Sequence, residues 1–303
     1  MLETLNSCPF CEKTELLLYL EAKDYTVSGE IFKLSQCKSC GLIFTNPRPD
    51  KNSIGGYYES EDYISHTNSK KGLLNSTYQL ARKYSIQRKY SLLIKHAAAK
   101  AGSSLLDIGC GTGEFLGYCK EKGLKCIGIE PSAVARTLAK ENHGLSVFDN
   151  SELAAIESNT FDAITMWHVL EHVHDLNATI QTVKRLLKSN GYYFVAVPNP
   201  DSYDASVYGP QWAAYDVPRH LFHFKPDTMK KVVEGAGLQF VTTLPMKMDA
   251  FYVSLLSEKY TSGKQLSLLS AIKSFGIGQM SNLKASSAEN YSSVIYIFKK
   301  PTA

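Results

Sequence analysis

The sequence predicts an α/β protein in which a doubly wound, largely parallel sheet follows a small metal-binding module. From residue 103 onward, short apolar segments alternate with helical segments, which is the pattern of parallel strands joined by crossover helices. The first 50 residues instead carry two Cys-x-x-Cys pairs and little helical periodicity. A chain of 303 residues with 20% charged residues can form one large domain and an appendage, and it lacks the composition of a disordered protein.

Residues 1–50 are predicted to form a zinc ribbon. Turns with two intervening residues can direct four thiolates at one tetrahedral Zn²⁺, and the four cysteines concerned are Cys8, Cys11, Cys37 and Cys40. Residues 25–27 and 30–34 alternate like the strands of a hairpin. We expect a structural ion, because four thiolates leave no open position for catalysis. The alternative is two unrelated pairs of buried cysteines.

Residues 51–102 are predicted to form a helical linker or lid. The segment Asn46-Pro-Arg-Pro49 marks its start, and apolar residues recur at helical spacing over 74–100. Between His66 and Leu106 the chain has eight Lys or Arg residues and no acidic residue, so this segment could face an anionic partner. The alternative is a solvated helix packed on the sheet.

Residues 103–303 are predicted to form the sheet domain. Strands are expected at 104–108, 125–129, 145–148, 161–167, 192–197, 238–244 and 293–299. Helices are expected at 131–143, at 175–189 and from near residue 226. The Pro- and Tyr-rich loop 198–225 should border a ligand site, because it follows the carboxyl end of a strand. Residues 250–285 are predicted to be an inserted helical hairpin that could contact a second copy in a homodimer.

The chain is expected to be cytoplasmic and to have no membrane partner. No apolar run approaches the roughly 18 residues that a membrane-spanning helix needs. The N-terminus lacks a basic region followed by an apolar stretch, so no signal peptide is expected. In a reducing cytosol, paired cysteines indicate metal binding more than disulfide bonds.

The strongest local signal lies where the first strand of the sheet domain turns into its first helix. There the motif Asp107-x-Gly-x-Gly-x-Gly113 lets the backbone approach a ligand closely. It differs from the dinucleotide fingerprint Gly-x-Gly-x-x-Gly, and no Lys-Ser/Thr follows as in a phosphate-binding loop. The Asp107 carboxylate would repel phosphate and suits a ligand with an amine and a positive centre. Glu130 ends the second strand, where it is placed to accept hydrogen bonds from ribose hydroxyls.

These residues resemble the class I S-adenosylmethionine-dependent methyltransferases. The resemblance covers mainly residues 103–200, and it also rests on the segments 161–172 and 185–191. It implies a Rossmann-like sheet of seven strands, the last antiparallel, and S-adenosylmethionine as the methyl donor. Asp149 or Asn150 would meet the adenine amine, and Trp167 and His168 would line the pocket under the sulfonium. The cofactor-binding residues so implied are Asp107, Gly109, Cys110, Gly111, Gly113, Glu130, Pro131, Asp149, Asn150, Trp167 and His168.

The cysteine pairs, the Tyr57-Tyr58 region and residues 215–224 also resemble a bacterial subgroup that carries an N-terminal zinc ribbon. Members of that subgroup act on small or sugar-linked metabolites, which implies a small-molecule acceptor such as a sugar nucleotide. Two alternatives stay open. One is an RNA methyltransferase that holds RNA with the ribbon and the basic segment 70–100. The other is a non-catalytic binding protein that keeps a relic cofactor fold, against which the intact Asp107 and Glu130 argue.

Loop 198–225 holds the candidates for a general base. Methyl transfer needs a base only when the nucleophile gives up its proton reluctantly, as a hydroxyl or a carbon acid does. Sugar C-methyltransferases with a similar ribbon supply a Tyr and a His near an acidic residue from this region. By that resemblance His220 is the predicted base, assisted by Tyr215 and Asp216. The alternative is that these residues only shape and close the pocket.

A further histidine motif precedes the helix predicted at 175–189. His168-x-x-Glu171-His172 matches the His-x-x-Glu-His pattern of one metalloprotease group. Because His168 directly follows a predicted strand, the two histidines would not share a regular helix, and a catalytic metal is not expected there. His172 is a candidate catalytic residue of the pocket, and the alternative is a core or capping histidine.

Overall fold

The computed structural model describes residues 1–58, 73–263 and 267–302, with the side chains of 73–81 and 287–288 left aside. Part of the predicted lid and of the basic segment, including Lys70 and Lys71, therefore lies outside the described residues. Within the described ranges, no helix combines the length and the apolar character that crossing a membrane requires.

The described residues form a long series of strands and helices. The strands are β1 (Leu2–Glu3), β2 (Leu16–Lys23), β3 (Ile31–Cys37), β4 (Ile43–Thr45), β5 (Arg48–Pro49), β6 (Ser104–Ile108), β7 (Lys125–Ile129), β8 (Ser146–Phe148), β9 (Phe161–Trp167), β10 (Leu187–Pro198), β11 (Phe222–His223), β12 (Gln239–Pro245) and β13 (Ser293–Lys299). The α-helices are α1 (Leu73–Ala97), α2 (Glu114–Glu121), α3 (Ala133–His143), α4 (Leu176–Leu186), α5 (Tyr203–Tyr208), α6 (Pro226–Gly235), α7 (Asp249–Ser262) and α8 (Leu268–Ala288). Short 3-10 helices span Ile54–Tyr58, Asn150–Ala154, Leu170–His172, Gly209–Gln211 and Ala213–Tyr215.

The main sheet has seven strands in the order β12-β13-β10-β9-β6-β7-β8. Strand β13 is antiparallel to both of its neighbours, whereas the pairs from β10 to β8 are all parallel. Strands β9 and β10 are apolar along most of their length, because helices cover both faces of a doubly wound sheet and bury alternate side chains on each side. The predicted doubly wound sheet of seven strands is confirmed.

The carboxyl ends of β6, β7 and β9 lie side by side in this order of strands. Ligands of open α/β sheets bind beyond the carboxyl ends of the strands, so this edge is where a site is expected. Helix α3 begins directly beyond this edge, with Ser132 as its N-cap, and ends at Gly144. Helices α7 and α8 occupy the predicted insertion and pack against each other.

One predicted boundary in this sheet is wrong. Helix α4 ends at Leu186, and residues 187–189, predicted to complete it, belong to the start of β10. Leu187 is fully buried and pairs with Phe161 of β9, and a register irregularity lies between Leu187 and Tyr192. So short a run does not distinguish the end of a helix from the start of a buried strand. The pairing of these residues with β9 makes them a strand.

The N-terminal ribbon contains a four-stranded sheet in the order β11-β4-β3-β2. Residues 25–27, predicted as a strand, form a turn instead, because the Asp24 carboxylate accepts hydrogen bonds from the amides of Thr26, Val27 and Ser28 at 2.8–3.2 Å. The edge strand β11 comes from loop 198–225, where Phe222 pairs with Phe44 of β4. The ribbon and the loop therefore share one sheet, which the sequence pattern did not predict.

Candidate active site

The glycine turn after β6 is shaped by its immediate neighbours. Gly109 and Gly111 have positive φ values of 75° and 55°, a backbone conformation that L side chains rarely adopt. A side chain at Gly109 would overlap Val169, whereas the space beside Gly111 is open to 4 Å among the described residues. The turn thus presents bare backbone to an open volume at the carboxyl edge of the sheet.

Two carboxylates flank this turn. Asp107 is 3% exposed and accepts a hydrogen bond from the Thr165 hydroxyl at 2.5 Å. Burial raises the pKa of Asp107 to about 7, although the Thr165 hydroxyl and Lys89 act in the opposite direction. Glu130 accepts the amides of Gly111 and Ser132, both at 2.9 Å, so its carboxylate is fixed beside the turn. The pair makes the pocket negative, which favours a cationic ligand.

A cation and an aromatic ring complete this part of the site. The Lys89 ammonium, from α1, lies 4.6 Å from the centroid of the Trp167 ring, and Asp107 and Asp249 attract its charge. The Trp167 Nε1 atom is buried and has no hydrogen-bond partner within the described ranges. An acidic cradle with an open glycine turn, an aromatic face and an unpaired indole donor fits a ligand that carries both a positive centre and polar groups, as S-adenosylmethionine does.

The other predicted cofactor residues surround the same edge. Cys110 lies against Gly128, where a Cβ atom would come within 2.6 Å of its sulfur. The carbonyl of Pro131 and the carboxylate of Asp149 both accept hydrogen bonds from Arg136, at 2.7 and 3.0 Å. Asp149 also caps the 3-10 helix that begins with Asn150. Their roles toward the cofactor stay predictions.

His168 connects this edge to a second cluster. It follows Trp167 with a positive φ of 57°, and its Nε2 atom lies 3.0 Å from Asp249 Oδ2, while Nδ1 lies 3.4 Å from Glu171 Oε1. Burial alone would lower the pKa of His168, but the carboxylates of Asp249 and Glu171 outweigh it and raise the pKa to about 10. His168 is therefore a cation at neutral pH, placed between the cofactor edge and the cluster.

The second cluster centres on His220. Its Nδ1 atom lies 2.9 Å from the carbonyl oxygen of Ala214, and since a carbonyl can only accept, Nδ1 carries the proton of the neutral ring. The lone pair of neutral His220 is then on Nε2. That atom lies 4.0 Å from Glu171 Oε1 and 4.0 Å from Asp216 Oδ2. An imidazole with this tautomer can take up a proton next to two carboxylates.

Glu171 is the buried acid of the cluster. Its side chain is 1% exposed, and neither carboxylate oxygen has a partner in hydrogen-bond geometry among the described residues. Burial alone would raise the pKa of Glu171, but His168, His220 and His172 hold it below its usual value. A buried carboxylate without donors is costly, and such a group commonly has a functional reason. Sequence reasoning cited Glu171 only within the His-x-x-Glu-His pattern and gave it no role.

His172 contacts His220 edge to face, with ring centroids 4.6 Å apart. Its Nδ1 atom lies 2.9 Å from the Tyr58 hydroxyl and 3.0 Å from the carbonyl of Arg219. Burial and the neighbouring His220 lower the pKa of His172 to about 4, so it is neutral at physiological pH. Glu171, His172 and His220 each offer a ligand atom within 4.8 Å of the others.

Tyr215 and Asp216 differ in where they point. Tyr215 is 3% exposed and packs edge-on against Trp212 and His223, where burial and Tyr19 raise the pKa of its hydroxyl. It therefore belongs to the contact between the loop and the ribbon. Asp216 lies beside His220, and both of its oxygens accept from Arg219 at 2.7–3.1 Å. The structure brings Asp216, His172 and His220 together and sets Tyr215 behind them.

The four ribbon cysteines also converge. The sulfurs of Cys8 and Cys40 are 3.5 Å apart, those of Cys11 and Cys37 are 3.6 Å apart, and all four lie within 4.8 Å of one another. A tetrahedral Zn²⁺ with bonds of about 2.3 Å separates its sulfur ligands by roughly 3.8 Å, so these side chains fit such an ion.

Comparison with known proteins agrees with the architecture of this edge. A profile described as a methyltransferase domain matches residues 78–243, which is more than half of the chain. The chain belongs to the methyltransferase-domain family. It is an S-adenosylmethionine-dependent methyltransferase, as the glycine turn and its two acids predict.

Two curated relatives of the methyltransferase are ubiquinone biosynthesis O-methyltransferases. The protein of Acinetobacter baylyi is 28% identical over 159 residues, which are 48% of this chain and 67% of the relative. That of Xanthomonas oryzae pv. oryzae is 33% identical over 149 residues, which are 46% of this chain and 62% of the relative. The chain thus spans about two thirds of the length of these relatives, and the ribbon lies outside the family match.

A solved structure with the same fold is phosphoethanolamine N-methyltransferase 2 of Haemonchus contortus in complex with S-adenosyl-L-methionine. Its TM-score to the methyltransferase is 0.54 at 15% identity, and the match covers 95% of this chain and 69% of the other. At this identity the likeness concerns the fold alone.

The basic helix of the methyltransferase uses several of its cations internally. Arg82 pairs with Glu114 of α2, and Arg88 donates to the carbonyl of Pro245 at 2.7 Å. Lys89 faces Trp167. These side chains hold α1 over the sheet edge, whereas Lys83, Lys95 and Lys100 of the same basic segment are exposed.

Proposed function

We propose that the methyltransferase methylates a hydroxyl group of a small molecule, with His220 as the general base. The observation that carries this proposal is the 2.9 Å contact between His220 Nδ1 and the Ala214 carbonyl, because it leaves the Nε2 lone pair of the neutral ring facing the enclosed cluster. Two curated relatives are O-methyltransferases, which supports an oxygen nucleophile. A hydroxyl holds its proton at neutral pH, so its methylation benefits from a base.

The cofactor would be held by the residues around the glycine turn. Asp107 would face the amine and the positive end of the ligand, and Glu130 would accept from the ribose hydroxyls. When bound, S-adenosylmethionine supplies a methyl group on a sulfonium, which is already electrophilic. The protein therefore has to align the nucleophile with that methyl group and exclude water. The burial of Glu171 and His220 supports the exclusion of water.

His220 would take the hydroxyl proton on Nε2 and become an imidazolium. Glu171 and Asp216 lie close enough to Nε2 to stabilise that charge, each at 4.0 Å. Glu171 has two carboxylate oxygens without a donor among the described residues, so it can also accept from a second hydroxyl of the acceptor. This chemistry favours a hydroxyl-rich acceptor such as the sugar of a sugar nucleotide, and the internal use of Arg82, Arg88 and Lys89 argues against RNA.

The test is the pair of variants His220→Gln and His174→Gln. Methyl transfer from isotope-labelled S-adenosylmethionine would be measured with nucleotide sugars, ortho-dihydroxy aromatics and total RNA as acceptors. We expect transfer to a small molecule, a loss of about 10²–10⁴-fold in kcat for His220→Gln, and unchanged affinity for S-adenosylmethionine by calorimetry. His174, whose Nε2 contacts the Pro49 carbonyl, is outside the cluster and serves as the control. Wild-type kcat in His220→Gln, or transfer to RNA alone, would contradict the proposal.

We also infer that Cys8, Cys11, Cys37 and Cys40 bind a structural Zn²⁺. The fit of their sulfur positions to a tetrahedron supports this assignment. Elemental analysis should find one zinc per chain in the wild type and in Cys126→Ser, and a loss of zinc in Cys37→Ser. Cys126 is a half-buried cysteine of β7 outside this cluster. Equal zinc content in the two variants would contradict the assignment.

A further inference from the structure

The N-terminal ribbon holds the backbone that directly follows the His220 side chain. The Thr45 hydroxyl of β4 donates to the carbonyl of His220 at 2.7 Å, and the Thr45 amide donates to the carbonyl of Leu221 at 3.0 Å. One residue further, β11 pairs with β4. Because these bonds are made by a strand of the ribbon, the position of His220 depends on that module as well as on the sheet domain.

A buried ion-pair network makes a second connection. Arg219 is 1% exposed and donates to Asp24 of the ribbon at 2.9 Å, to the Asp216 carboxylate at 2.7–3.1 Å and to the Tyr57 carbonyl at 2.9 Å. Asp24 is itself 1% exposed. If one charged group leaves a buried network, the remaining charges are uncompensated. Such a network therefore strongly favours a single arrangement of its side chains.

The network ends at the proposed base. Asp216 has a positive φ of 37°, an uncommon conformation for a residue other than glycine that its surroundings must maintain. Its carbonyl accepts from the His220 amide at 3.0 Å, and its carboxylate lies 4.0 Å from His220 Nε2. Arg219 thus transmits a constraint from Asp24, in the ribbon, to the carboxylate beside the base.

We propose that Asp24 is a positioning residue for His220, so that the ribbon is a structural part of the acceptor site and not an independent module. Asp24 shares the guanidinium of Arg219 with Asp216 and so sets both the orientation of Asp216 and the net charge next to His220. The proposal rests on the proposed function for the role of His220, but the placement itself is independent of the acceptor.

The experiment compares Asp24→Asn with Ser28→Ala in the full-length, zinc-loaded protein. Ser28 is exposed and donates to the same Asp24 carboxylate at 2.9 Å without contacting Arg219, so it controls for loss of the turn. Nitrogen-15 NMR of labelled histidines reports the tautomer and the titration of each ring, and the His220 signal is assigned by its absence in His220→Gln. The groups that face His220 are Glu171, His172, Asp216 and His223.

Removing the Asp24 charge releases the Arg219 guanidinium that orients Asp216, so the nitrogen-15 shift pattern of the His220 ring should move away from that of the wild type. Ser28→Ala should leave that pattern unchanged. If Asp24→Asn does not fold, Thr45→Val tests the other connection. It should perturb the signals of His220, and those of His223, whose Nε2 lies 3.5 Å from the Thr45 hydroxyl, while the signals of the remote His143 and His174 stay unchanged. Wild-type His220 spectra in folded Asp24→Asn, or in Thr45→Val when Asp24→Asn does not fold, would overturn the proposal. Failure of the base role would show separately, as methyl transfer that persists in His220→Gln.

Discussion

The two halves of the site are built in different ways. The cofactor half, defined here as Asp107, the glycine turn, Glu130 and Trp167, lies on the ends of neighbouring parallel strands. The acceptor half, defined as Glu171, His172, Asp216 and His220, is assembled from the segment after β9, loop 198–225 and contacts with the ribbon. The first half is fixed by sheet order alone, whereas the second depends on tertiary contacts between distant parts of the chain.

The two halves also differ in how their charges are balanced. In the cofactor half, burial raises the pKa of Asp107 to about 7, so its carboxyl group is partly protonated at neutral pH. In the acceptor half, the charges already compensate one another within a network from Asp24 through Arg219 and Asp216 to His220. A change in the first half should therefore act on ligand affinity, and a change in the second on the state of the base.

The largest expected effect is on cofactor affinity. Asp107→Asn removes the buried carboxylate proposed to face the cationic ligand, and truncating one side of such a charge pair costs at least about 2–3 kcal/mol. We expect calorimetry to show S-adenosylmethionine binding about 100-fold more weakly. Asp162→Asn is the matched control, because Asp162 is at the amino end of β9 and pairs with Lys188. Equal affinities in the two variants would remove Asp107 from the cofactor half.

The same variant should raise the stability of the ligand-free protein. The folded-state pKa of Asp107 is raised from 3.8 to about 7, so its favourable contribution is complete below pH 4 and is lost as the pH rises to 7. Asn cannot ionise and avoids that loss. Urea unfolding should find Asp107→Asn more stable than the wild type by roughly 1–3 kcal/mol at pH 8, with the difference shrinking toward pH 4. A difference that is constant between pH 4 and 8 would show that Asp107 does not titrate in this way.

The contrast between the halves also explains what could be predicted from the sequence. Asp107, the glycines and Glu130 lie within 24 residues, and their spacing reflects one strand-turn-helix unit and the next strand. The local sequence pattern is sufficient to predict this half of the site, because neighbouring parallel strands bring their carboxyl ends to the same edge of the sheet. Most strand bounds of the main sheet were predicted for the same reason.

Asp24 and Thr45 carried no such signal. Nothing in a turn such as Asp24-Tyr-Thr-Val-Ser28 indicates that its carboxylate will meet an arginine 195 residues away. The edge strand β11 has two residues, too few for a periodic pattern, and its pairing with β4 is a tertiary event. Glu171 lies inside a motif that matches a metalloprotease pattern but where no metal is expected, and only its burial without donors among the described residues gives it a role.

The smallest expected effect concerns the residue that joins the halves. His168 has a folded-state pKa raised to about 10 by Asp249 and Glu171, so its contribution to stability is complete below about pH 6.5 and is lost as the pH rises toward 10. In Asp249→Asn this contribution should fall by about 1 kcal/mol at pH 6, a modest figure because the His168 side chain is 34% exposed and partly screened.

The difference in unfolding free energy between Asp249→Asn and the wild type should shrink to zero as the pH of the measurement is raised from 6 to 10. Asp201→Asn provides the control, because its partner, 2.7 Å away, is a lysine, Lys225, and not a histidine. Its deficit should therefore stay constant to pH 9. If the deficit of Asp249→Asn were equally constant, the ion pair between His168 and Asp249 would not couple the insertion to the site.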